Sequence, residues 1–170
     1  MKSTAINTLT YAGIVTLSQR IGDEKVKLAQ LHNAGGIALF DFLADCLMGE
    51  FDQAKYNWPT KIKILEHIVD DETNTDDYIS TSGFIYLNDA PVRVKTENKE
   101  CRIRYSFLIP RDLIENISSF TNLGLGLYTH STSEGDPANF AAFCSLSDVN
   151  SRDINNASLL IDWELVISNV

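Results

Sequence analysis

The sequence predicts a mainly-β domain: an antiparallel β-sandwich or jelly-roll-like fold of 170 residues with one amphipathic helix inserted at about 37–51. Three observations predict it. Short segments of alternating apolar and polar residues recur along the chain, each bounded by polar turn residues. Only one stretch has helical periodicity. No linker, repeat or low-complexity run divides the chain, so residues 1–170 read as a single domain long enough to bury a core.

The first element is a β-hairpin. Tyr11–Ser18 (YAGIVTLS) is enriched in β-branched residues, and Glu24–Leu31 (EKVKLAQL) alternates Val26 and Leu28 with Lys25 and Lys27. Gly22-Asp23 breaks the two runs. The helix follows within His32–Phe51. Phe40, Leu43, Ala44, Leu47, Met48 and Phe51 share one face, and Asp41 and Asp45 lie opposite. Asn33–Gly36 supplies the tight start and Gly49 the stop, because glycine accepts the left-handed conformation at a helix end. Asn57-Trp58-Pro59 reads as a turn, since the residue before proline is pushed out of helical geometry.

Lys61–Val69 (KIKILEHIV) predicts a strand with Ile62, Ile64, Glu66 and Ile68 on one face and a wet face of Lys61, Lys63, Leu65 and His67 opposite, with a short helix as the alternative. The acidic run Asp70–Asp77 (DDETNTDD) predicts an exposed loop. Tyr78–Leu87 is a strand, Asn88–Pro91 a turn and Val92–Thr96 a short strand. In Cys101–Ile109 (CRIRYSFLI), Cys101, Ile103, Tyr105 and Phe107 share one face, and Arg102, Arg104 and Ser106 the other. Pro110–Asn116 predicts a helical turn, because proline is tolerated where a helix begins. In Asn122–Thr129 (NLGLGLYT), three leucines alternate with Gly124 and Gly126, which implies close approach of another backbone on the glycine face. His130–Ala138 is a polar loop containing Pro137, and Phe140–Leu146 an apolar strand. Ser158–Ser168 (SLLIDWELVIS) is the cleanest strand, with Leu159, Ile161, Trp163, Leu165 and Ile167 on one side against Asp162 and Glu164.

Composition narrows the function classes. The net charge is −9, from 23 acidic and 14 basic residues, so a general electrostatic grip on nucleic acid or on an anionic membrane is disfavoured. No apolar run reaches the length of a secretory signal core or a membrane span. The three cysteines, Cys46, Cys101 and Cys144, show no paired spacing and read as buried free thiols in a reducing cytoplasm.

No catalytic motif is present. His32, His67 and His130 lack metal-ligand spacing. The acidic run lacks the EF-hand glycine, so a solvated loop explains it better than a calcium site. Ile37-Ala38 stand where a phosphate loop needs lysine and a hydroxyl residue. No serine sits in a nucleophile elbow. No cofactor and no metal are expected, and the chain reads as a non-enzyme. Most aromatics fall at strand positions that core packing explains. Trp58, in its predicted turn, is a candidate contact residue.

Two stretches together resemble a known family. LHNAGGIALFDFLADCLMGEFDQAKYNWPTKIKI (Leu31–Ile64) runs from a hairpin through an asparagine-glycine start, a short apolar helix and a turn to a strand. FAAFCSLSDVNSRDINNASLLIDWELVISN (Phe140–Asn169) runs from a strand through a polar link to the closing strand. This layout is similar to small virion structural proteins of tailed bacteriophages, crAss-like phages included. The resemblance covers roughly the first and last thirds of the chain. It implies a protein made in the host cytoplasm and located in the virion, where it binds copies of itself and capsid, neck, tail or fibre proteins. Trp58, the acidic residues Asp70, Asp71, Asp76 and Asp77, and the segment from His130 to Pro137 are then the candidate interface. A carbohydrate-binding β-sandwich is the alternative from a different class. A hydrolase with an unrecognised carboxylate pair is a third.

Overall fold

In a computed structural model of the chain, residues 9–21, 23–35, 45, 48–49, 56–70, 75–94, 100–115, 117, 119–130, 140–150 and 158–169 are described. Among them run ten strands: β1 (Leu9–Ile21), β2 (Glu24–Gly35), β3 (Tyr56–Asp70), β4 (Thr75–Ser80), β5 (Ile85–Tyr86), β6 (Val92–Val94), β7 (Glu100–Ile109), β8 (Leu123–His130), β9 (Ala142–Ser145) and β10 (Leu159–Asn169). One 3-10 turn, Arg111–Leu113, follows Pro110 as the sequence predicts. The fold is mainly β, and the strands pair antiparallel.

The strands lie in the order β4-β3-β8-β9-β2-β1-β10-β7-β6. The short strand β5 links the two halves of that path. It pairs with β3 through Lys61↔Tyr86 and Ile62↔Ile85. Just beyond it, Leu87 N–H donates to the Thr60 carbonyl at 3.0 Å and Asn88 N–H to the Ser106 carbonyl at 2.9 Å. Leu87 also bridges Phe107 of β7. Backbone hydrogen bonding therefore runs β3-β8-β9-β2-β1-β10-β7-β5 and returns to β3. Such a ring removes most strand edges. Among the described residues, β4 and β6 remain with a partner on one side only.

One core fills the ring. Its centre is Trp163, fully buried. Trp163 pairs with Val15 of β1 on one side and Tyr105 of β7 on the other. Phe107, Ile109, Leu159 and Ile161 complete that half, and Ile62, Ile64, Leu125 and Leu127 face them from β3 and β8. The alternation expected for β7, β8 and β10 is the alternation observed.

The hairpin expected at the start is present, with Ile21↔Glu24 as its closing pair. Its second strand continues through Asn33, Ala34 and Gly35, where the sequence suggests the start of a helix. Ala34 and Gly35 pair with Phe143 and Ala142, so cross-strand pairing overrides the local turn chemistry there. The inserted helix at 37–51 is not seen as an element, because most of those residues lie outside the described ones. Asp45 and Met48 have helical backbone, and Gly49 has a positive φ of 74°.

Three expectations along β3 and β4 are corrected. Asn57-Trp58-Pro59 is not a turn but part of β3. The register breaks there, with Tyr56↔His130 followed next by Lys61↔Tyr128. Proline has no N–H for a ladder, so a bulge accommodates it without ending the strand. The acidic run is not a loop throughout: Asp70 ends β3, while Asp76 and Asp77 lie in β4, opposite Val69 and Ile68. Tyr78–Leu87 is not one strand. It breaks after Ser80, where Thr81 N–H and Oγ1 both donate to the Ile64 carbonyl and Ser82 Oγ accepts from Ile64 N–H.

Candidate functional site

The outer surface of the ring carries three features with chemical content: a charged ladder, an aromatic layer and two strand edges. The ladder follows from the alternation of β7 and β10. With Trp163 and Tyr105 turned inward, Asp162, Glu164, Arg104 and Ser106 must turn outward. The register sets Asp162 opposite Ser106 and Glu164 opposite Arg104. Arg104 Nε and Nη2 donate to Glu164 Oε1 at 2.8 and 2.6 Å, and Arg102 Nη1 lies 3.7 Å from Glu164 Oε2. Lys25 Nζ of β2 donates to Asp162 at 2.5 Å, and Ser106 Oγ donates at 2.7 Å. Burial alone would raise the Asp162 pKa. The hydrogen bonds from Lys25 and Ser106, with the charges of Lys25 and Arg104, outweigh it and hold the carboxyl below its ordinary value. Asp162 is thus an ionised acceptor that ties β2, β7 and β10 together.

Beside the ladder is an open concavity of about 960 Å³ whose lining includes Arg20, Lys25, Asp89, Val92, Leu108 and Leu160. Its cations are largely committed. Lys25 pairs with Asp162, and Arg104 with Glu164.

The aromatic layer lies outside β3, β4, β8 and β9. The sequence predicts a wet face at Lys61, Lys63, Leu65 and His67, yet Lys61 and Leu65 are buried. Their cover is aromatic. Tyr78 stacks on His67 with centroids 5.1 Å apart, and Phe143 and Phe140 meet Tyr78 edge-on at 5.1 and 5.0 Å. Phe84 meets Tyr128 edge-on at 5.4 Å, and the ammonium groups of Lys61 and Lys63 lie 4.1 and 4.2 Å from the Phe84 centroid. Burial, then the charge of Lys63, lowers the Lys61 pKa.

The remaining titrating groups of note are inert ones. Burial pushes the Cys144 thiol up to about 12, so it carries almost no thiolate at neutral pH. Burial pushes the Tyr105 phenol to about 12 as well. Among the described residues, no group of three or more histidine, cysteine or carboxylate side chains is placed to hold a metal ion. No helix among them is long and apolar enough to cross a membrane.

The predicted interface residues divide into two places. Asp70, Asp76 and Asp77 come together on the β3–β4 hairpin. Trp58 lies in the register break of β3, and His130 pairs with Tyr56 beside that break. At about 3.3 Å per residue, the twelve residues from Trp58 to Asp70 set the two places on the order of 40 Å apart. Asp71 and Pro137 lie outside the described residues. Sequence reasoning misses the aromatic layer, the ladder's partners and the edges. The leucine–glycine alternation of β8 is the one signal for the first. No protein-family model matches the chain, and no curated protein and no solved structure matches it either.

Proposed function

We propose that this chain is a non-enzymatic structural protein of a tailed-phage virion, acting by self-association and by contacts with capsid, neck, tail or fibre proteins. One observation carries the reading. Among the described residues the strand ring leaves two edges, β4 and β6, with exposed apolar side chains on both: Ile79 is 48% and Val92 57% exposed. An unpaired strand edge can pair with another chain, and the charges on these two, Asp77 of β4 and Arg93 of β6, restrict which chain it accepts. The chemistry of the described side chains supports the same reading. Asp162 and Glu164 serve as ion-pair partners, and Cys144 is buried and protonated.

The sandwich-like or jelly-roll description is part of this proposal. The halves β6-β7-β10-β1-β2 and β9-β8-β3-β4 share one core, which fits a flattened two-layer domain. The outward charges of β7 and β10 fit a chain without a membrane partner, since a lipid-facing strand presents apolar side chains. The net charge of −9 fits one that does not bind nucleic acid.

The test is peptide mass spectrometry of particles purified from the source phage. Peptides of this chain at a fixed ratio to the major capsid protein support the reading, and their repeated absence from intact particles overturns it. A second reading, a carbohydrate-binding module, has one specific observation in its favour. Tyr86 is 62% exposed and its ring lies 6.4 Å from Phe84. Glycan binding lost on Tyr86→Ala would support it.

A further inference from the structure

The two free edges sit at opposite ends of one seam. Strands β3 and β7 run in the same direction, because each pairs antiparallel with the chain around β5. Along β3, β5 meets residues 61 and 62, and β4 meets residues 65 to 70. Along β7, the chain after β5 meets Phe107, and β6 meets residues 102 to 104. The segments β4, β5 and β6 therefore cross the seam in succession, β4 toward one end and β6 toward the other.

These edges carry opposite charge. β4 holds Asp76 and Asp77, with Asp70, Asp71 and Glu72 just before it in sequence. β6 holds an exposed Arg93 as its one charge, with Asp89 before it and Lys95 and Glu97 after it in sequence. Like edges repel, since two β4 strands would set aspartates against aspartates and two β6 strands arginine against arginine. Unlike edges attract, and Ile79 and Val92 supply apolar contact beside the charges. We infer that a second copy of this chain docks head to tail, with its β6 edge added to the β4 edge of the first. The contact is heterologous, so it builds a ring or an open stack according to the rotation between copies. This inference rests on the self-association proposed above and specifies which surfaces meet.

The test is sedimentation equilibrium of the full chain in low salt. Four proteins are compared: the wild type, Asp76→Lys with Asp77→Lys, Arg93→Glu, and all three changes in one chain. Each single-edge reversal is expected to weaken association about tenfold or more, and the combined chain to regain it. Association regained at the wild-type stoichiometry separates a charge effect from misfolding, which gives aggregates of no fixed size. Ile79→Asp, a surface change checked for fold by circular dichroism, is expected to weaken association as well. Wild-type association in every reversed variant overturns the edge assignment while leaving self-association in place. A wild type that stays monomeric throughout overturns both.

Discussion

The ring of Phe143 occupies the space where a side chain at Gly124 would stand: a β-carbon there would lie 2.2 Å from Phe143 Cζ and 2.9 Å from the Cys144 carbonyl oxygen. At Gly126, a β-carbon would lie 2.8 Å from Leu65 Cδ1 and 3.0 Å from Tyr128 Cε2. The two glycines thus form the floor on which the aromatic layer rests. Gly124→Ala is expected to destabilise the fold by about 1–3 kcal/mol, the usual cost of overpacking. Gly83→Ala, where nothing lies within 4 Å of the new carbon, should change it by no more than about 0.5 kcal/mol. Denaturant midpoints of the two variants check the contrast.

That layer also marks how far the sequence could be read. Strands β7, β8 and β10 are legible because their inward faces alternate, and the glycine face of β8 announces close approach, though the nearest atoms belong to the side chains of Phe143, Leu65 and Tyr128 rather than to the other backbone the sequence implies. The cover over Leu65 and His67 is not legible. It comes from Phe140 and Phe143, far along the chain, and no local period records such a partner. The extension of β3 through Pro59 and of β4 into the acidic run is hidden for another reason. Proline and aspartate favour turns locally, and a register break and a hairpin overrule them. Of the candidate interface, the acidic hairpin and the Trp58–His130 region are visible as composition. The pairing that separates them is not.

Asp162 gives the fold an acid-sensitive contact. Its folded pKa lies below the ordinary 3.8, so its stabilisation is complete above that value and is lost as pH falls through the lowered one. Asp162→Asn removes the charge-assisted bonds from Lys25 and Ser106 and is expected to cost about 1 kcal/mol at pH 7. The gap between wild type and variant should begin to narrow as pH falls below 3.8 and close once it is below the lowered pKa, as read from urea midpoints across an acid titration.

Tyr105 acts at the other end of the scale. Its phenol is raised from 10.0 to about 12, so the folded state keeps a proton that the unfolded chain releases. The resulting stabilisation is full below pH 10 and is lost as pH rises toward 12. Absorbance at 295 nm in an alkaline titration should show Tyr105 contributing to a late ionisation step, together with unfolding. Tyr105→Phe should reduce that late step by one tyrosine.

Trp163 tests the core. Trp163→Ala is expected to cost about 3–5 kcal/mol. Trp163→Phe should cost far less, because it also removes Nε1, a buried donor with no hydrogen-bond partner among the described residues. Thermal melts of both variants give the comparison.

The central claim is that this domain works by binding copies of itself. Light scattering coupled to size-exclusion chromatography, repeated over a concentration series at low and high salt, tests it most directly. The mass is expected to rise with concentration above the 19.0 kDa of one chain, with weaker association in high salt. A mass of one chain at every concentration and salt would contradict it.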